Sequence, residues 1–125
     1  MEIQIKRIYE PPSPLDGYRV LIDRIWPRGV KKNGAKLDEW NKDIAPSTEL
    51  RKWFGHIPER FDEFSLRYQT ELDSQKNDLL RLGNIAQKEN LCLLYSARDP
   101  LHNQAIVLRN FLSKLPMDNL SIPGT

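Results

Sequence analysis

Arginine, serine and aspartate side chains follow two apolar runs of this sequence, where each run gives way to a polar loop. Val20-Leu21-Ile22 leads into residues 23–29, and residues 91–95 lead into residues 96–99. An arginine guanidinium presents a planar fork that matches carboxylate or phosphate oxygens. If the two runs are neighbouring parallel strands, both polar segments lie at the carboxyl edge of the sheet, where open α/β sheets bind ligands. The pattern predicts an anion site built from Asp23, Arg24, Trp26, Arg28, Ser96 and Arg98.

Side chains that could catalyse a reaction are few. Ser96 lacks the Gly-x-Ser-x-Gly elbow of hydrolases, and Cys92 lies among leucines, where a thiol is inert. His56 and His102 are the only histidines. His102 lies near the predicted site and is the candidate acid or base, although a surface histidine is the commoner outcome. The sequence has no His-x-x-x-His pair and no Gly-rich nucleotide motif, so it identifies no catalytic residue, metal site or cofactor.

Several candidate residues also have a purely structural explanation. Asp23 and Arg24 can pair with each other or with neighbours at the strand end, which is about as frequent as ligand binding. Trp26 is more often a packing residue than a ligand platform. Asp99 has a sufficient role as the N-cap of the last helix, with Pro100 at the first helical position.

Three strands are predicted to position this site. Ile3 and Ile5 indicate an opening strand, and the segments from Tyr18 to Ile25 and from Leu91 to Tyr95 indicate buried ones. Residues 37–44 are ambiguous, because they match either a short helix or, near residues 37–41, a fourth strand. Strands separated by long helical stretches favour a small three-layer α/β fold, a mostly parallel sheet with flanking helices.

Four helices are predicted from apolar residues at helical spacing. The first is capped by Ser47 and ends at Gly55, and the second has Pro58 in its first turn. The third ends near Asn90, which could be its left-handed cap. The last begins at Asp99 and ends at Pro116.

Length and composition indicate one domain. The chain has 125 residues, which fits a single domain over residues 1–115, and residues 116–125 carry little that could pack, so we expect a flexible tail. No apolar run approaches the length of a membrane span, and residues 1–6 lack the layout of a signal peptide. The single cysteine, Cys92, excludes an internal disulfide. These features predict a cytoplasmic protein without a membrane partner.

Charge is unevenly distributed and leaves three functions open. Residues 1–36 carry eight lysines and arginines against four acids, whereas residues 37–89 carry eight against eleven. The first hypothesis is a site for an anionic or nucleotide-like small molecule, with or without catalysis. The second is nucleic-acid binding through the basic loop at residues 28–36, although no nucleic-acid motif supports it. The third is an adaptor role for the acidic region; the sequence does not define an oligomeric state.

Several strings resemble those of a known family, the YeaO-like branch of DUF488. The most specific is Asp-Arg-Ile-Trp-Pro-Arg-Gly at residues 23–29, because tryptophan, proline and glycine rarely coincide in one loop by chance. The strings at residues 37–40, 45–51 and 93–97 also match, as do Asn103 and the Tyr-x-x-Glu-Leu pattern at residues 68–72. The resemblance covers about residues 3–115.

The resemblance implies a compact α/β domain, similar in outline to Rossmann-like folds, in a family without an agreed activity. It adds Asn103 to the candidate ligand-binding residues. Many relatives carry a histidine directly after the asparagine that matches Asn103, whereas this chain has Gln104 there and His102 before it. Longer DUF488 relatives carry cysteine and histidine at this helix start. This chain has neither in that arrangement, so thiol chemistry does not transfer to it.

Overall fold

A four-stranded parallel sheet forms the centre of the computed structural model, which describes residues 2–115. Its strands are β1 (Ile3–Arg7), β2 (Tyr18–Leu21), β3 (Glu39–Trp40) and β4 (Leu91–Tyr95). They lie in the order β1-β4-β2-β3, and every pairing is parallel. The predicted α/β class is therefore confirmed. The two apolar runs are neighbouring strands, β2 and β4, as the predicted site requires.

The layers on the two faces of the sheet are unequal. The helices are α1 (Lys32–Ala35), α2 (Thr48–Phe54), α3 (Phe61–Asp73), α4 (Lys76–Lys88) and α5 (Gln104–Ser113). Helices α2 to α5 share one core with alternate residues of β2 and β4, such as Val20 and Leu93. The opposite face, with Leu21 and Leu94, is covered by Trp26, Val30 and α1. The segment that follows β2 therefore forms much of one layer. Among residues 2–115, no helix is long and apolar enough to cross a membrane.

The ambiguous segment at residues 37–44 contains the additional strand that the sequence left open, which is β3. In β3, Glu39 and Trp40 pair with Val20 and Leu21 of β2. The indole N–H of Trp40 donates a hydrogen bond to the carbonyl of Asp23, with an N–O distance of 2.7 Å. This bond fixes the backbone where the chain leaves β2. Strand β2 is shorter than the predicted strand from Tyr18 to Ile25, because only residues up to Leu21 pair in the sheet.

The prediction of a left-handed cap at Asn90 was wrong. Helix α4 ends at Lys88, and Glu89 is extended, with a φ of −154°. The Asn90 amide instead donates to the carbonyl of Leu15 at 3.0 Å. Its backbone carbonyl accepts a hydrogen bond from Tyr18 at 2.8 Å. Gly17, with a φ of 71°, allows this approach, because a Cβ there would lie 2.1 Å from the Asn90 carbonyl oxygen.

The start of the last helix also differs from the prediction. Helix α5 begins at Gln104, and its N-cap is Asn103, whose side-chain oxygen accepts from the backbone N–H groups of Ala105 and Ile106. Asp99 was predicted to be this cap. Its carboxylate instead accepts from the backbone of Leu101 at 2.9 Å and closes a separate turn. Residues 116–125, the predicted flexible tail, lie outside the described residues.

Replacing Asn103 with alanine is expected to lower the free energy of unfolding by about 1–2 kcal/mol. The side chain is 1% exposed. Besides capping α5, it donates to the carbonyl of Asp99 at 2.9 Å. Urea denaturation measures the loss. Asn103→Ser is the matched control, because its hydroxyl keeps an uncharged capping oxygen and it should lose less; an equal loss in both variants would contradict the assignment of the cap.

Candidate functional site

A cavity of about 310 Å³ lies beyond the carboxyl ends of β2 and β4. Its walls come from the segment after β2, from helix α2 and the turn that follows it, and from residues 96–104. Its volume is at the lower end of the range for small-molecule sites. The residues that sequence reasoning predicted and that line the cavity are Asp23, Arg24, Trp26, Arg28, Ser96 and Asn103.

Asp23 is a buried residue in the wall of this cavity. The Ser96 hydroxyl donates to one carboxylate oxygen, and the Gln104 amide donates to the other at 2.6 Å. Burial raises the pKa of Asp23, against the opposing effects of the hydrogen bonds from Ser96 and Gln104 and of the positive charge of Arg51. Its two oxygens are thus occupied by protein donors, so Asp23 ties β2, β4 and α5 together.

Replacing Asp23 with asparagine is expected to change how stability depends on pH. Because the pKa of Asp23 is raised above 3.8 in the folded protein, folding favours the protonated acid. That stability is complete below the unfolded pKa and is lost as the pH rises through the folded pKa. Asparagine cannot ionise. The free energy of unfolding of Asp23→Asn, relative to the wild type, should therefore increase across this window.

Urea denaturation of both proteins between about pH 4 and pH 7 tests this expectation. Asp43→Asn is the control, because Asp43 is an exposed acid outside the cavity. A difference between Asp23→Asn and the wild type that stays constant with pH would contradict the expectation.

Arg24 positions the walls of the cavity. Its guanidinium donates to the carbonyl of Pro46 at 2.9 Å and to the carbonyl of Ala45 at 3.1 Å. These bonds join the segment after β2 to the loop before α2. Arg28 is exposed, and its carbonyl accepts a hydrogen bond from the Tyr9 hydroxyl at 2.8 Å. Arg24 is therefore a structural clamp, and Arg28 offers a solvent-facing charge.

Trp26 stabilises the loop more than it offers a stacking surface. Its indole N–H donates to the carbonyl of Val30 at 2.7 Å. Its ring packs edge-to-face on Trp40, with centroids 5.2 Å apart, and the ammonium of Lys32 lies 5.7 Å from it. These contacts support the structural explanation of Trp26, although it also lines the cavity.

Arg98 lies outside the cavity, and the side chain of Asn103 is used to cap α5. Arg7 donates to the carbonyls of Ser96 and Ala97 at 3.0 and 2.9 Å. The chain then bends, and Arg98 is exposed and does not line the cavity. Asn103 lines it, but both atoms of its amide are hydrogen-bonded to backbone groups. The sequence does not reveal this bend, because Asp99-Pro100 has the pattern of a helix start while α5 begins at Gln104.

Several cavity residues were missing from the predicted set. Arg51 and Phe54 come from α2, Phe64 comes from α3, and Gln104 opens α5. Phe54 and Phe64 stack with their ring centroids 4.4 Å apart. The helical spacing of Leu50 and Phe54 marks the buried face of α2, and Arg51 directly follows Leu50. That spacing is the sequence signal that could have pointed to Arg51. The sequence does not show how close α2 lies to the ends of the strands.

His102 and Cys92 have distinct environments. A ring nitrogen of His102 lies 2.8 Å from the Asp99 carboxylate. Its ring packs edge-to-face on Phe61, with centroids 5.2 Å apart. Hydrogen bonds from the backbone of Leu101 and from His102 hold the pKa of Asp99 below its usual value. Burial raises the pKa of the Cys92 thiol to about 11, which supports the reading of an inert core thiol.

Sequence comparisons identify relatives along almost the whole chain. Residues 2–119 match the family described as the inactive DUF488-N3 subclade. The uncharacterized protein YeaO of Escherichia coli K12 is 48% identical over 115 residues, which is 92% of this chain and 100% of that protein. The uncharacterized protein Rv3073c of Mycobacterium tuberculosis H37Rv is 41% identical over 111 residues, covering 89% of this chain and 93% of its own. No solved structure matches the chain. The chain therefore belongs to the DUF488 family, in its YeaO-like branch.

Proposed function

We propose that this protein binds a small anionic molecule in the cavity at the carboxyl edge of the sheet. The observation that carries the proposal is the charge of the cavity wall. Three arginines, Arg24, Arg28 and Arg51, line it together with one carboxylate, Asp23. Guanidinium groups keep their charge at every physiological pH. An anion that enters therefore meets a net positive wall.

The carboxylate does little to cancel this field. Asp23 has both oxygens hydrogen-bonded to neutral donors, Ser96 and Gln104, and its raised pKa reflects a cost of ionisation in this place. Apolar side chains such as Phe54 and Phe64 form another part of the wall. Electrostatic attraction is stronger beside groups of low polarity than in bulk water. A small anion of matching shape can bind there without a metal ion.

Binding without conversion is the better-supported form of this function. The matching family is described as an inactive subclade. The hydroxyl of Ser96 donates to a buried acid with no histidine between them, and the thiol of Cys92 lies in the core. Neither group is arranged as an activated nucleophile. We further propose a cytoplasmic location, which agrees with a free, buried cysteine.

A thermal-unfolding screen with inorganic phosphate, acetate, benzoate and adenosine monophosphate tests the proposal, with sodium chloride at equal ionic strength as the reference. At about 100 times its Kd, a ligand of the folded state stabilises by about 2.7 kcal/mol. We expect at least one anion to stabilise the wild type and the Arg98→Ala variant, and to stabilise Arg28→Ala less. Arg98 is the matched control, because it is an exposed arginine in a neighbouring bend that does not line the cavity. No stabilisation by any anion would contradict the proposal.

The basic segment beside the cavity carries a second candidate function, nucleic-acid binding. Lys31, Lys32 and Lys36 are all exposed. Arg28 lies in the same stretch of chain and adds a fourth cation. Such binding would weaken steeply as salt rises from about 50 to 200 mM. Fluorescence polarisation with labelled single-stranded RNA measures it; affinity that does not change with salt would remove this candidate.

A further inference from the structure

Arg51 is the cavity arginine whose hydrogen-bond donors are not used by the described part of the protein. Its Nε atom is buried and has no hydrogen-bond partner among residues 2–115. No ion pair or side-chain hydrogen bond in this part of the chain involves its guanidinium, in contrast to that of Arg24. The nearby acid Asp23 is already satisfied by Ser96 and Gln104. That enclosed Nε cannot itself reach a ligand, but the terminal nitrogens of the guanidinium also have no acceptor among the described residues and are not enclosed. They can donate to a ligand in the cavity, and a guanidinium fork matches a carboxylate.

One part of the cavity wall is apolar and contains flat rings. The stacked rings of Phe54 and Phe64 line the cavity, and so do Pro27 and Pro46. All four of these residues are buried. Such walls favour a planar apolar body, because aromatic groups pack against each other in stacked or edge-to-face arrangements. The ligand that fits both features joins a flat ring to an acceptor group.

The donors available near Arg51 favour a ligand with a single negative charge. One guanidinium beside the apolar wall has free donors, because those of Arg24 are taken by backbone carbonyls and Arg28 is exposed at the surface. A dianion such as phosphate would bring a second charge for which the described residues offer no second free donor group beside that wall. An uncompensated buried charge carries a large desolvation cost. A carboxylate matches the guanidinium fork with one charge.

We infer that the ligand of this cavity is a flat, aromatic monocarboxylate that is held by Arg51 against Phe54 and Phe64. This inference rests on the proposed anion-binding function and narrows it to one chemical class. Arg51 is the binding residue, and the two phenylalanines determine the shape of the accepted ring.

Isothermal titration of the wild type with four probes tests the inference. Benzoate carries ring and charge, benzamide carries the ring alone, acetate carries the charge alone, and phenyl phosphate carries the ring with a phosphate. We expect benzoate to bind about tenfold or more tightly than each of the others. Benzamide lacks the charged acceptor, acetate lacks the ring, and phenyl phosphate adds a second charge that must be buried. Arg51→Met should reduce benzoate binding to the level of benzamide, whereas Arg98→Met should leave it unchanged.

The outcomes separate this inference from the proposed function. Phosphate or phenyl phosphate binding that depends on Arg28, without preference for benzoate, would overturn the inference and leave the anion site standing. Equal binding of benzoate and benzamide to the wild type would also overturn it, and this comparison does not require that Arg51→Met folds. Failure of every anion to bind would overturn both.

Discussion

Replacing Phe64 with alanine is expected to lower the free energy of unfolding by about 3–5 kcal/mol. The Phe64 side chain is 2% exposed. It stacks on Phe54 and lies 5.7 Å from the ring of Tyr68. The substitution removes this ring from the junction between α2 and α3, where the helical layer supports the cavity. Chemical denaturation with urea measures the change.

Leu66→Ala on the same helix is the control for this prediction. Leu66 is 66% exposed, so its truncation should change stability by less than about 0.5 kcal/mol. If Phe64→Ala cost no more than Leu66→Ala, the aromatic packing between α2 and α3 would not exist in solution. The apolar wall of the proposed site would then be absent as well.

Replacing Arg19 with methionine is expected to destabilise the protein by about 3 kcal/mol or more, because it breaks a buried ion pair. Arg19 is 4% exposed and pairs with Asp16 at 2.5 Å. Its other nitrogens donate to the carbonyls of Ala35 and Lys36 at 2.8 and 3.1 Å. Methionine keeps much of the volume but leaves these acceptors without their donor. The basic segment that covers one face of the sheet would lose its main anchor.

The pH dependence of this loss provides a second test. Burial raises the pKa of Asp16, but hydrogen bonds from the backbone of Ser13 and from Lys6 and Arg19 together lower it by more. The net pKa of Asp16 therefore lies below 3.8. The stability from the ionised form is complete above the unfolded pKa and is lost as the pH falls through the folded pKa. The penalty of Arg19→Met should therefore shrink in acid.

Arg67→Met is the control for the Arg19 prediction. Arg67 pairs with Glu63 at the surface, and both side chains are about half exposed. Such pairs contribute between about 0.2 and 1 kcal/mol. Equal losses for Arg19→Met and Arg67→Met would mean that the Arg19–Asp16 pair is not buried in solution.

The sequence predicted which polar residues come together where backbone geometry determines their positions. The apolar runs at β2 and β4 indicated buried strands, and parallel neighbours bring their following residues together. Asp23 and Ser96 are in fact hydrogen-bonded across 73 positions of sequence. The short strand β3 remained ambiguous, because two paired residues, Glu39 and Trp40, leave no periodicity to recognise.

The hydrogen-bond partners of polar side chains could not be predicted in the same way. Asp99 followed by Pro100 has the pattern of a helix start, yet its carboxylate is used in the turn that contains His102, and the helix begins after Asn103. Arg24 and Arg51 are both arginines close to apolar residues. Only the tertiary packing shows that Arg24 binds backbone carbonyls while Arg51 has no partner among the described residues.

The most direct test of the anion cavity is a map of amide chemical shifts in the nitrogen-labelled protein during titrations with benzoate and with phosphate, at fixed ionic strength. The account predicts saturable changes that concentrate in the segments at residues 23–28, 51–56 and 96–104, which contain most of the residues that line the cavity. Changes confined to the lysines of residues 31–36, or changes that rise linearly without saturation, would contradict a cavity site for anions.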